Sequence, residues 1–212
     1  MSSTRSLFRR AALGTVAVAA ALVLAACGSE DSGSGSDSGP GSKASAGADV
    51  TAGAHNDQDV SFAQGMIPHH RQAVEMARMA AEQSSSAEVK DLASRIEKAQ
   101  DPEIETMSGW LESWGEDVPS GAPGMDHSGH GGSAGMSGMM DQGDMDRLMK
   151  ASGADFDTMF LTMMVEHHEG AVEMAATEKD KGQYAAAKKV AGEIITAQNA
   201  EIKEMNKLLG KG

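Results

Sequence analysis

Apolar residues recur at three- and four-residue intervals over four long stretches of this chain, and nothing beyond its first 26 residues alternates with the two-residue period of a strand. The pattern predicts helices over about Asp57 to Gln83, Ala87 to Trp114, Asp155 to Lys181 and Tyr184 to Leu209, with a short helix from Met145 to Ala151. In the second stretch Ile96, Ala99, Gln100, Glu103, Ile104 and Met107 follow one another at helical spacing. Ser84 to Ser86 and Gly182 supply short hairpin turns, and Pro119 with Gly121 is the expected stop of the second helix. Pro68 lies inside the first stretch, where its ring would cost a regular helix on the order of 3 kcal/mol. It predicts a kink or local opening just before His69, freeing a carbonyl near Gly65, unless the regular helix starts later.

The four stretches are two copies of one design. Shifted by 98 positions, residues 57–111 align with 155–209 without a gap. MIPHHRQAVEMA (Met66 to Ala77) falls on MVEHHEGAVEMA (Met164 to Ala175), and Asp59/Asp157, Phe62/Phe160, Ile96/Ile194, Gln100/Gln198, Glu103/Glu201 and Met107/Met205 coincide. Two repeated helical hairpins, each with one apolar stripe to bury, predict an all-α fold, an antiparallel four-helix bundle. With few aromatic residues, its core must be built from Ala, Leu, Ile, Val and Met.

The ends read differently. Residues 1–26, with Arg5, Arg9 and Arg10 ahead of the uncharged run Ala11 to Ala26, have the form of an export signal too short to span a membrane. Leu24-Ala25-Ala26-Cys27-Gly28 resembles a lipoprotein lipobox, in which Cys27 becomes the lipidated first residue; the alternative is an ordinary cleavage site with a chance cysteine. Residues 27–56, rich in Gly, Ser, Asp and Ala, form the expected flexible tether. The folded part is then a first hairpin (57–114), a linker (115–143) and the short helix with the second hairpin (144–212). The linker carries Met125, His127, His130, Met136, Met139 and Met140, either extra metal donors or low-complexity drift.

Cys27 is the single cysteine, so an internal disulfide is excluded, and metal ligands must come from His, Met, Asp or Glu. The net charge of −13 falls to −16 when the three signal arginines are removed, a surface that repels nucleic acid and attracts cations.

On an ideal helix Met66, His69, His70, Ala73, Met76 and Ala77 fall within about 120° of arc, as do Met164, His167, His168, Ala171, Met174 and Ala175. Adjacent histidines do not face one another on a helix, so one ion needs donors from a second helix. Glu103 and Glu201 are candidate carboxylate ligands, or acceptors for the second N–H of a ligating imidazole. Thioether with imidazole suits copper, Cu(I) above all; zinc rarely uses Met, and calcium and magnesium prefer oxygen. The competing reading makes the methionines core filler and the histidines buried hydrogen-bonding groups.

These residues resemble the domain of unknown function 305 family, whose pattern M-x-x-H-H-x-x-A followed by Q-x-x-E-x-x-x-M-x-x-W-L falls on Met66, His69, His70, Ala73, Gln100, Glu103, Met107, Trp110 and Leu111. It falls again on Met164, His167, His168, Ala171, Gln198, Glu201, Met205 and Leu209, with Leu208 where the family usually has Trp. The resemblance implies a ferritin-like helical bundle in exported bacterial proteins, some of which bind copper and contribute to copper tolerance. The expectation is a lipid-anchored copper-binding protein on the outer face of the cell membrane, with a copper donor or acceptor protein as partner. A metal-free structural or interaction bundle is the alternative, and haem ligation by His and Met a third. No catalytic constellation is visible, and no enzymatic activity is expected.

Overall fold

The structure is a computed structural model and describes residues 53–120 and 137–211. Five helices follow in order: α1 (Asp57–Gln83), α2 (Ala87–Trp114), α3 (Gln142–Lys150), α4 (Gly153–Lys181) and α5 (Ala185–Leu208). The signal segment, Cys27, most of the tether, and Met125, His127, His130 and Met136 lie outside the described residues. Among the described residues no helix is long and apolar enough to cross a membrane.

Local chemistry sets the helix ends. Asn56 caps α1, its side chain accepting from the N–H groups of Gln58 and Asp59 while the Asp59 carboxylate accepts from the Asn56 N–H, a reciprocal capping box. Ser86 caps α2 by accepting from the Val89 N–H, and Asp141 caps α3 by accepting from Asp144. α2 ends at Trp114, as the spacing predicts, but the stop is Gly115 and not Pro119 with Gly121. Gly115 takes φ +76°, and the Glu116 N–H turns back to the Leu111 carbonyl, closing the last turn. α3 begins three residues ahead of the predicted Met145, because Asp141 supplies the cap.

The opening expected before His69 is not found. α1 is continuously helical through Pro68, and α2 through Pro102. The missing N–H leaves one carbonyl, that of Gln64, without its usual partner four residues on.

Each hairpin packs its two helices along their length, and the hairpins meet mainly through α1 against α4. Two buried aspartates fix that meeting. Asp59, at the start of α1, accepts from the backbone N–H groups of Gln183 and Tyr184, which open α5. Asp157, near the start of α4, accepts from the Ser85 hydroxyl and the Ser86 N–H, which open α2. Positions 85 and 86 map onto 183 and 184 under the 98-residue shift, so each hairpin caps the other's second helix in the same way. The start of α1 therefore lies at the end of α4 and the reverse, making the pair antiparallel.

Hydrogen bonding and burial act in opposite directions at both carboxylates. Burial alone would raise the Asp59 pKa, but hydrogen bonds from Glu178, Asn56, Tyr184 and Gln183 outweigh it and hold it below the ordinary value. Asp157 is likewise held down, burial being overcome by the Ser84 and Ser85 hydroxyls and the backbone of Ser85 and Ser86. Glu178 goes the other way: burial, then its hydrogen bond to Asp59 and that neighbour's charge, push it up to about 8.

The apolar interior divides in two. One cluster joins Phe62, Met66, Ile67, Met107, Leu111 and Ile194; the other joins Met76, Leu92, Ile96, Phe156, Phe160 and Met164, with Leu148 of α3 beside them. Phe62 and Met66 map onto Phe160 and Met164, so the repeat relates the clusters. The aromatic residues of the first end group together: His55 stacks on Trp114 at 4.3 Å, and Tyr184 meets Trp110 and Trp114 edge-on.

Two measurements test this framework. Asp157→Ala leaves buried donors at the α2 start unpaired and is expected to lower unfolding stability by about 1–3 kcal/mol in urea titration. Glu178 keeps its proton to about pH 8 when folded but loses it near 4.5 when unfolded. Its contribution is complete below the lower value and lost as pH rises through the upper one. Melting temperature should fall between pH 5 and pH 9 by roughly 3–6 °C more in the parent than in Glu178→Gln; parallel curves would refute the assignment.

Candidate metal centre

Between the two apolar clusters, where α1 crosses α4 near the middle of each, lies a layer of polar side chains. His69, His70, His167 and His168 are fully buried, and Gln100 and Gln198 nearly so. The helical face anticipated from spacing does point inward. The antiparallel pairing brings His69 against His167, ring centroids 3.8 Å apart with planes at 43°.

The second helices supply the carboxylates. His70 Nε2 lies 2.7 Å from Glu103 Oε2, and His168 Nε2 lies 2.8 Å from Glu201 Oε2. The sequence separation is 33 in both, so the repeat builds the same contact twice. With a carboxylate as acceptor, Nε2 carries the proton, and in the neutral ring the lone pair lies on Nδ1. His69 is oriented similarly by a different group, its Nε2 donating to the Ser137 carbonyl at 3.2 Å.

Burial, reinforced by the neighbouring His70, pushes His69 down to about 3, and burial with the charges of His69, His168 and His70 holds His167 well below 6.5. Both rings are neutral at physiological pH, the form that ligates metal. The Nδ1 atoms of all four histidines, His167 Nε2, both polar atoms of Gln100 and the Gln198 oxygen have no hydrogen-bond partner. An unpaired buried polar atom costs about 1–3 kcal/mol, so this layer is poorly explained as packing and well suited to donating lone pairs.

The thioethers are arranged less compactly. Met66 and Met164 are fully buried one helical turn before the central histidines, but they enter opposite apolar clusters. Met76 is buried in the same cluster as Met164, and Met174 is partly buried against the other. Among the described residues no group of three His, Cys, Asp or Glu side chains is disposed to hold one ion. The donor set that exists is a pair of imidazoles flanked by thioethers, which fits a soft cation of low coordination number and not a hard divalent one.

A strap missed by sequence reasoning completes the layer. Ser137 to Met140, the end of the linker, lies over the α1–α4 seam. The Gln72 side chain holds the Met140 backbone at both its N–H (2.8 Å) and its carbonyl (2.9 Å). Met140, expected as a linker donor, is buried in the apolar core. A Cβ on Gly170 would collide with the Ser137 carbonyl, and Gly138, at φ +79°, packs its backbone on Gly170 and His167. The available signal was the repeat itself, since Gln72 and Gly170 occupy equivalent positions and differ.

A DUF305 protein from Streptomyces coelicolor described as secreted is 31% identical, with a TM-score of 0.64 over 73% of this chain and 93% of that one. A DUF305 fragment from Deinococcus radiodurans is 28% identical, with a TM-score of 0.64 over 74% and 98%. CopM in its Cu(II)-bound form is 37% identical, with a TM-score of 0.60 over 72% and 95%, and CopM also matches in Cu(I)-bound, Ag-bound and apo forms. No curated protein matches. The family model described as "Domain of unknown function (DUF305)" matches residues 59–209, most of the sequence, and the chain belongs to that family.

Proposed function

We propose that this chain is an exported copper-binding protein that holds the ion as cargo in its polar layer, buffering copper or contributing to copper tolerance. The observation that carries the reading is the buried pair His69 and His167, 3.8 Å apart between centroids, in which His69 Nδ1 and both ring nitrogens of His167 have no hydrogen-bond partner. His70 and His168 are the next donors, each oriented through Nε2 by Glu103 or Glu201 so that Nδ1 is free. Met66 and Met164 are the thioethers nearest in sequence to the central pair, and they favour Cu(I) over Cu(II). The kinship supports the same reading, because CopM, 32–37% identical, has been crystallised with Cu(II), Cu(I) and Ag. Lipidation at Cys27 and anchoring on the outer face of the membrane belong to the proposal, as does a protein that delivers or receives the ion.

A metal-free interaction bundle is favoured by one observation: the two His–Glu pairs are already hydrogen-bonded, and no three-residue His/Asp/Glu cluster exists among the described residues. Titration of the folded domain with Cu(I) and Cu(II) against competing chelators separates the readings. Copper should be retained at micromolar competitor, and His69→Ala with His167→Ala should weaken it at least about 100-fold while circular dichroism is unchanged. Failure to retain copper would favour the metal-free bundle.

The carboxylates give an independent check. Glu103→Gln and Glu201→Gln keep size but weaken the acceptor for the imidazole N–H, and each should reduce copper affinity by about 10- to 100-fold. Equal affinity in both variants would remove the carboxylates from the metal site.

A further inference from the structure

The strap does more than fill space. His69 and His167 are equivalent in the repeat, yet only His69 has a hydrogen-bond partner at Nε2, the Ser137 carbonyl, while both nitrogens of His167 are unpartnered. The difference arises on one side of the molecule, where the chain passes from the first hairpin to the second. α3, which continues the strap, touches both α1 and α4 and so keeps the covering segment on their shared seam.

We infer that Ser137 to Met140 is the seal of the histidine layer, with Gln72 and Gly170 as the positioning residues that seat it. Gln72 clamps the strap's far end through two buried hydrogen bonds to Met140. Gly170 supplies the gap that lets the Ser137 carbonyl approach His69, because any side chain there would displace it. The seal has two consequences. It fixes the neutral His69 ring with the proton on Nε2, so that Nδ1 faces the layer as its donor, and it closes the seam by which a solute reaches the central imidazoles.

The inference names the access control of the site proposed above and rests on that reading for its bearing on copper. Its structural half is testable on metal-free protein. Diethyl pyrocarbonate modifies accessible imidazole nitrogens, and tandem mass spectrometry reads each histidine separately. Gln72→Ala and Gly170→Ala should each raise the modification rate at His69 at least tenfold. His70 and His168, tied to Glu103 and Glu201, should stay at the parent rate. Copper release from the loaded protein to a Cu(I) chelator should accelerate by a similar factor.

If Gly170→Ala does not fold, Gln72→Ala, which creates no clash, carries the test. An unchanged His69 rate in the folded variants, or an equal rise at His70 and His168, would overturn the seal. Faster His69 modification in a protein that retains no copper would uphold the seal and reject the copper reading, so the two can fail separately.

Discussion

Reciprocal capping by Asp59 and Asp157 is the constraint on which the rest of the molecule depends. Each carboxylate is buried at the start of one hairpin and takes donors that open the second helix of the other, two backbone N–H groups at Asp59 and the Ser85 hydroxyl with the Ser86 N–H at Asp157. Buried N–H groups without acceptors are costly, so these contacts set the antiparallel register of α1 against α4. Once that register is set, the midpoints of the two helices coincide, and His69 meets His167 there. A slip by one turn would break both caps and separate the imidazoles together.

The polar layer runs against the stability of the fold. Four imidazoles and two amides sit between two apolar clusters that would gain from being continuous, and many of their lone pairs and protons are unmatched. The methionines soften the boundary, since a thioether is at ease in an apolar core and is also a soft donor. Met66 and Met164 therefore pack in the clusters that hold Phe62 and Phe160 while lying one helical turn from the layer. In a fully satisfied structural network every one of these groups would be expected to find a partner.

Much of this was legible in the sequence, and the reason is the duplication. Repetition of the pattern distinguished the face bearing the histidines from accidental composition, and the common separation of 33 between His70 and Glu103 and between His168 and Glu201 is the hairpin's own geometry. Helix spans were readable because turns and apolar spacing agreed. Pro68 misled because local sterics forecast an opening, whereas the flanking turns stay helical through the lost hydrogen bond. The end of α2 at Trp114 was readable, but its cause was not, since Gly115 acts through a left-handed backbone angle and not through the proline and glycine further on. Asp59 and Asp157 were visible as a matched pair, but their partners lie in the opposite hairpin and no local pattern names them. Glu178 and the strap were hidden for a related reason: each departs from the repeat, at Ala80 in one case and Gln72 in the other, and such departures acquire meaning only in three dimensions.

The reciprocal caps also bear on assembly. Neither aspartate can tell whether the helix start it satisfies belongs to its own polypeptide or to an identical neighbour, because the contacts between hairpins are the same in both cases. An exchanged pair, in which two molecules trade their second hairpins, would preserve the capping and the meeting of His69 with His167 in duplicate. The hold of Gln72 on Met140 would survive such a trade as well, passing between molecules, so the interfaces that build the histidine layer serve a single chain and an exchanged pair alike.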